Sequence, residues 1–250
     1  MGRCDTPAIA LGNCGARLLI FIGHVSFTSM NLSKYQTPYE THRSKIITEL
    51  IPSGERRSAL DIGCGPGYYS SILLDKGWNV TAIDVDPKNI DAVKTIATET
   101  FLGDAHRILL EQPERKYDLV IALEIIEHLS KGDGEILLGD IRRVLKPEGV
   151  LLISTPNKFS PEGLVEHYYA EKIMGRRKWT AWDDTHRYIY SSCEIIKLLN
   201  LTKLSVTKTI GYWYNVWLPF VGQWGLPILA STRFPLNHLG FNVIIECHKI

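Results

Sequence analysis

Neither sign of charge predominates in this 250-residue chain, where 28 Lys and Arg stand against 27 Asp and Glu. The balance removes any general electrostatic case for a polyanionic partner and leaves nucleic acid only a local patch. Cysteine is sparse as well. Cys4, Cys14, Cys64, Cys193 and Cys247 form no CxxC pair and no even framework, which argues against a disulfide scaffold or zinc knuckle and favours a reducing, cytoplasmic setting. Long apolar runs are missing near the N-terminus too. Leu18 to Gly23 is too short to span a bilayer, and Asn13, Gly15 and Arg17 interrupt what precedes it. Met30 opens a stretch that reads like a protein start, so residues 1–30 are expected to be an N-terminal extension, loosely ordered or produced by an upstream start.

What is present is alternation. A helix is expected from Tyr39 to Leu50, ending at Pro52-Ser-Gly54. Strands follow at Ser58–Gly63, Asn79–Asp84, Phe101–Leu102, Tyr117–Leu123 and Val150–Ser154, separated by helical patterns at Tyr68–Lys76, Pro87–Ala97 and Gly134–Leu145. Such exchange implies right-handed crossovers, a parallel sheet with helices on both faces, and ligands at the carboxyl ends of the strands. After Pro156 the pattern breaks. A lid-like insertion is expected at about 157–190, rich in aromatic and charged residues, before a helix at Ser191–Asn200. Two last strands, Leu204–Ile210 and Phe241–Cys247, are joined by an aromatic-rich segment at about 211–239 and suit an antiparallel edge hairpin.

The first strand runs into Asp61-Ile-Gly-Cys-Gly-Pro-Gly67 and then a helix. Glycine lets the main chain approach a ligand closely and adopt unusual φ values. A dinucleotide loop would read Gly-x-Gly-x-x-Gly and cradle a diphosphate; here Asp61 would repel one and attract a cation, such as the ammonium of a methionine moiety. The sign of that charge favours S-adenosylmethionine. Asp84 closes the second strand, where an acceptor meets ribose hydroxyls, and Asp104 in Gly103-Asp-Ala105 closes the third, suited to an adenine amino group. Cys64 reads as a small side chain tolerated in the turn, with no nucleophilic role.

At these residues the chain resembles the class I methyltransferases, in particular the branch that includes the ubiquinone-pathway O-methyltransferases. Leu60–Gly67, Val80–Asp84, Gly103–Ala105, Tyr117–His128, Leu145–Gly149 and Ile153–Asn157 carry the likeness, which covers roughly Tyr39 to Glu194 and the terminal strands. The resemblance implies an α/β, Rossmann-like, seven-stranded and mostly parallel sheet with an antiparallel last strand, spanning residues 31–250. It also implies cofactor contacts at Asp61, Gly63, Cys64, Gly65, Gly67, Asp84, Asp104, Ala105 and Glu124.

Glu124, Glu127 and His128 follow the fourth strand, and on a helix their spacing would put all three on one face. His186, in Asp183-Asp-Thr-His-Arg, matches the Thr-His element of the same branch, and relatives with this combination use a divalent cation. A cation at Glu124, Glu127, His128 and His186, Mg²⁺ or Mn²⁺, would lower the pKa of an acceptor hydroxyl. Without a metal, His128 or His186 becomes the general base. The expected reaction is O-methylation of a small molecule or glycan, at a sugar or phenol hydroxyl.

Three other readings compete. RNA 3′-end 2′-O-methylation would need a wide basic channel, and Arg176-Arg-Lys178 is the one tight basic run. A non-catalytic module binding S-adenosylmethionine would have no use for the Glu and His set. A nucleotide-dependent oxidoreductase is disfavoured by Asp61 and the glycine spacing. The aromatic stretch at 212–229 is expected to wall the acceptor pocket, join a second copy, or touch a membrane or lipid-linked substrate.

Overall fold

The computed structural model describes residues 38–173, 175, 183–213, 215–218, 222–225 and 230–250. The N-terminal extension, the basic run Arg176–Lys178, Trp179 and Trp182 lie outside them, as does part of the aromatic stretch. Helices are α1 (Pro38–Leu50), α2 (Tyr68–Asp75), α3 (Pro87–Val93), α4 (Ala105–Glu111), α5 (Lys131–Val144), α6 (Pro161–Tyr168) and α7 (Ser192–Leu201). Strands are β1 (Ser58–Ile62), β2 (Asn79–Asp84), β3 (Glu99–Leu102), β4 (Tyr117–Leu123), β5 (Leu145–Pro156), β6 (Leu204–Tyr212), β7 (Asn215–Leu218), β8 (Gly222–Gly225), β9 (Ala230–Ser231) and β10 (Asn242–Lys249).

Side chains alternate across the main sheet, and the two faces bury different partners. Leu60, Ile62, Val120, Ala122, Leu151, Ile153, Val243 and Ile245 pack with Leu109 of α4, Leu137, Leu138, Ile141 and Val144 of α5, and Ile195, Leu198 and Leu199 of α7. Their neighbours Ala59, Leu119, Ile121, Leu152 and Ile244 face Ile46, Ile47 and Ile51 at α1 and Tyr69 and Leu73 of α2. The near-continuous apolar runs are therefore those of strands covered on both sides.

The strand order is β3-β2-β1-β4-β5-β10-β6-β9, parallel from β3 to β5. One expectation about the sheet is corrected. The main sheet has eight strands where seven were expected, because the short β9 pairs with Gly211 and Tyr212 at the end of β6. The last two strands pair antiparallel as expected, with β10 the inner one, between β5 and β6 and antiparallel to both. That placement buries Val243, Ile244, Ile245 and Cys247, which an edge would leave half wet. Within the connection between β6 and β10, β7 and β8 pair as a separate antiparallel ribbon.

Parallel order from β3 to β5 brings the loops after β1, β2, β3 and β4 to one edge of the sheet. Chemistry collects there.

Candidate functional site

Three glycines shape the first loop. Gly63, Gly65 and Gly67 have φ of 67°, 53° and 92°, values that cost a residue with a Cβ about 1–2 kcal/mol. Gly63 is constrained twice, because a Cβ there would fall 2.0 Å from Ile125 Cδ1. The loop is tied to β2 by main-chain bonds: Gly63 N–H and Cys64 N–H donate to Ile83 O at 2.8 and 3.1 Å, and Gly65 N–H donates to Asp84 Oδ2 at 2.9 Å. Asp84 Oδ1 accepts from Asp86 N–H at 2.8 Å, fixing the carboxylate at the mouth of the strand.

Asp61 is 3 % exposed and accepts a 2.7 Å hydrogen bond from Ser70 Oγ. Burial raises its pKa to about 7, the Asp84 charge adds to the rise, and the Ser70 bond opposes it. A carboxylate in that condition has a strong preference for a neighbouring cation. The Cys64 thiol is pushed up by burial and then by the charges of Asp61 and Asp84, so it is no thiolate.

One cavity of about 760 Å³ takes in Gly63, Asp84, Asp104, Ala105 and His128, together with Ile83, His106, Leu129, Ile136 and Arg187. Asp61, Cys64, Gly65, Gly67, Glu124, Glu127 and His186 are not on its wall. Asp104 Oδ1 also accepts from Arg107 N–H at 3.1 Å and so caps α4.

Beyond β4 the expected single helical face does not form. Glu124 takes a left-handed conformation, φ 57°, and only Ile126–His128 make a short 3₁₀ turn, which sends Ile126 into the core. Glu124 stays close enough for its charge to act on Glu127 and is held by other partners. Its Oε1 accepts from Ser154 Oγ at 2.6 Å, its Oε2 accepts from Asn242 Nδ2 at 2.7 Å, and Arg43 Nη1 lies 3.7 Å away.

Glu127, His128 and His186 do converge, with potential ligand atoms all within 4.8 Å of one another. The His128 and His186 rings meet edge to face at 4.7 Å. Two amides hold the segments together: Arg187 N–H and Tyr188 N–H donate to Glu127 O at 2.8 and 3.1 Å. Glu127 is fully buried, and neither carboxylate oxygen receives a hydrogen bond of ordinary geometry. Burial and then the Glu124 charge raise its pKa well above the usual carboxylate value, against smaller opposing effects from Thr155 and Arg43. The His128 pKa is lowered by burial and then by His186, with Asp183 and Thr185 opposing. One buried carboxylate with unused oxygens and two imidazoles form a donor set that fits a divalent cation. Thr185 Oγ1 lies 3.0 Å from His128 Nδ1, leaving Nε2 as that ring's free donor atom.

Two charged residues escaped the reading of the sequence. Arg43 is 5 % exposed and lies 2.8 Å from Glu40, itself buried, so α1 delivers a guanidinium to Glu124. The signal was there: Glu40, Arg43, Ile47 and Ile51 fall on one helical stripe, and charge on an otherwise apolar stripe calls for a partner.

A Rossmann-like sheet that gathers a glycine loop and two strand-end carboxylates around one cavity defines the class of nucleoside-binding α/β enzymes. Solved structures narrow the fold. A SAM-dependent methyltransferase from Archaeoglobus fulgidus superposes with a TM-score of 0.63, covering 90 % of this chain and 100 % of its own at 18 % identity. A methyltransferase domain model matches residues 35–209, and the chain belongs to that family. A ubiquinone biosynthesis O-methyltransferase of Rickettsia felis is 32 % identical over 201 residues, 76 % of each chain. That of Rickettsia bellii is 35 % identical over 162 residues, 63 % of this chain, and the match spans 65 % of the relative's length.

Proposed function

We propose that the chain is an S-adenosylmethionine-dependent O-methyltransferase acting on a hydroxyl of a small molecule. The observation that carries the reading is the single cavity joining Gly63, Asp84, Asp104 and Ala105 to His128. Asp84 is placed for the ribose hydroxyls. Asp61 supplies the negative charge an ammonium needs. Gly65 and Gly67 shape the turn that carries Gly63 to the cavity wall and Cys64 behind it. Glu124 braces α1 against β5 and β10 beside them.

Catalysis of methyl transfer is chiefly orientation of donor and acceptor plus removal of the acceptor's proton. Glu127, His128 and His186 would hold a divalent cation, Mn²⁺ being favoured over Mg²⁺ by the two imidazoles; when bound it would acidify the acceptor hydroxyl. Without a cation, His128 at the cavity wall, or His186 packed against it, would instead receive that proton. The insertion at 157–190, which provides α6 and His186, acts as the lid that excludes water. A phenol is favoured over a sugar as acceptor because the relatives named above are ubiquinone biosynthesis O-methyltransferases.

The test is transfer of a labelled methyl group from S-adenosylmethionine to a panel of catechols, sugars and RNA, with and without chelator. Transfer to catechols that stops on chelation and returns with Mn²⁺ is expected. Transfer that survives full chelation, with no metal detected, removes the cation from the scheme; no transfer to any hydroxyl removes the O-methyltransferase reading.

A further inference from the structure

An acidic residue on the apolar stripe of a helix needs a reason to be there. In α5, Leu137, Ile141 and Val144 are buried, and Asp140, at 9 % exposure, shares their face. Its Oδ2 stands 2.6 Å from Nδ1 of His106, in the first turn of α4. His106 lines the large cavity beside Ala105, Leu129 and Ile136. A carboxylate only accepts, so it draws the ring proton to Nδ1 and leaves a lone pair on Nε2 of the neutral imidazole.

We infer that the His106–Asp140 pair reads the base of the nucleoside cofactor. His106 Nε2 accepts from the exocyclic amino group of adenine, and Asp140 is the positioning residue that fixes the tautomer. The inference rests on the cavity being an S-adenosylmethionine site. With the ribose at Asp84 on β2, the base reaches the loop after the neighbouring strand β3, where α4 begins. Apolar walls there set the plane of the base and leave its identity to the polar groups. Asp104 caps α4 through Oδ1 alone, so its other oxygen can share the two amino hydrogens with His106, while Asp133 accepts from Ser130 Oγ at 2.6 Å. His106 is the group at this end that a buried partner aligns. A base with a carbonyl in place of the amino group would set lone pair against lone pair.

The probes are S-adenosylhomocysteine and S-inosylhomocysteine, which differ by that substitution, titrated calorimetrically into the full chain, with thermal unfolding recorded alongside. Wild type is expected to prefer the adenosine compound. His106→Ala should reduce the preference about three- to tenfold, the value of one hydrogen bond. This side chain is 44 % exposed, so the fold tolerates its loss. Asp140→Asn, of the same shape, can donate to Nδ1 and move the ring proton to Nε2, so it should shift the ratio in the same direction. A pair that only staples α4 to α5 would lower Tm and leave the ratio alone; an unchanged ratio in both variants overturns the inference. Wild type that binds neither compound contradicts the cofactor reading itself, and the inference falls with it.

Discussion

The cofactor loops and the corner at Glu127 are built on opposite principles. The loops after β1 and β2 satisfy themselves: amides of Gly63, Cys64, Gly65 and Asp86 all find acceptors within β2 and its carboxylate. At the corner, Glu127 is buried with neither carboxylate oxygen receiving a hydrogen bond of ordinary geometry, between two segments about 60 residues apart, and a neighbouring carboxylate raises its pKa further. The first arrangement is a rigid mould. The second buries a carboxyl whose ionisation is costly until something binds. On the proposed function, binding the donor and activating the acceptor are separate tasks of these two regions, and substitutions should separate them.

The largest effect is expected at the corner. Glu127→Gln and His186→Ala should each lower kcat by about 10²–10⁴, while the Kd for S-adenosylhomocysteine, read by calorimetry, changes less than about twofold. Next comes the mould. Asp84→Ala loses charge-assisted bonds to the ribose and releases Gly65 N–H, so the same Kd should weaken about 10- to 100-fold. Equal losses of kcat and affinity in both sets would erase the distinction.

Asp61 gives a pH test of intermediate size. Its pKa near 7 lies above the ordinary carboxylate value, so ionisation is disfavoured in the unliganded fold and an approaching cation must pull the proton off. Affinity for S-adenosylhomocysteine should therefore fall as pH drops below about 7, by up to about tenfold per unit, and level off above it. Asp61→Asn should bind weakly and flatten the profile. The sign for stability is the reverse: Asp61 ionised at pH 8 opposes folding, so the unliganded Asn variant should melt higher than wild type there. The smallest effect is also on stability. Replacing the buried Glu127 carboxylate by Gln should raise the Tm of the metal-free chain by about 2–5 °C, measured by calorimetric scanning.

How legible each region was follows from the same contrast. Gly63, Gly65, Gly67, Asp84 and Asp104 could be read directly because each lies at a strand end and strand ends are marked by apolar runs. The strand after α5 was read as starting at Val150; it begins at Leu145, since Tyr117 already pairs with Leu145 across an irregular stretch. The antiparallel pairing of the last two strands was legible; that β10 is the inner one was not, because the two strands read alike locally. The corner was half legible. His186 was expected near His128 and lies there, whereas the positive φ at Glu124 has no local signature. Its left-handed turn is imposed by Ser154, Asn242 and Arg43, which come from three distant segments. Asp140 and Arg43 were missed together, as charges on apolar helical stripes whose partners lie on other elements.

The central claim is that the loops hold the donor and the corner activates the acceptor. Its most direct test is a single-turnover measurement of methyl transfer to a catechol, run on Glu127→Gln with S-adenosylmethionine saturating, beside the calorimetric Kd of the same sample. The predicted result is a rate lowered at least about a hundredfold with the Kd unchanged. A wild-type rate in that variant, or a loss of rate fully accounted for by a weakened Kd, would contradict the account.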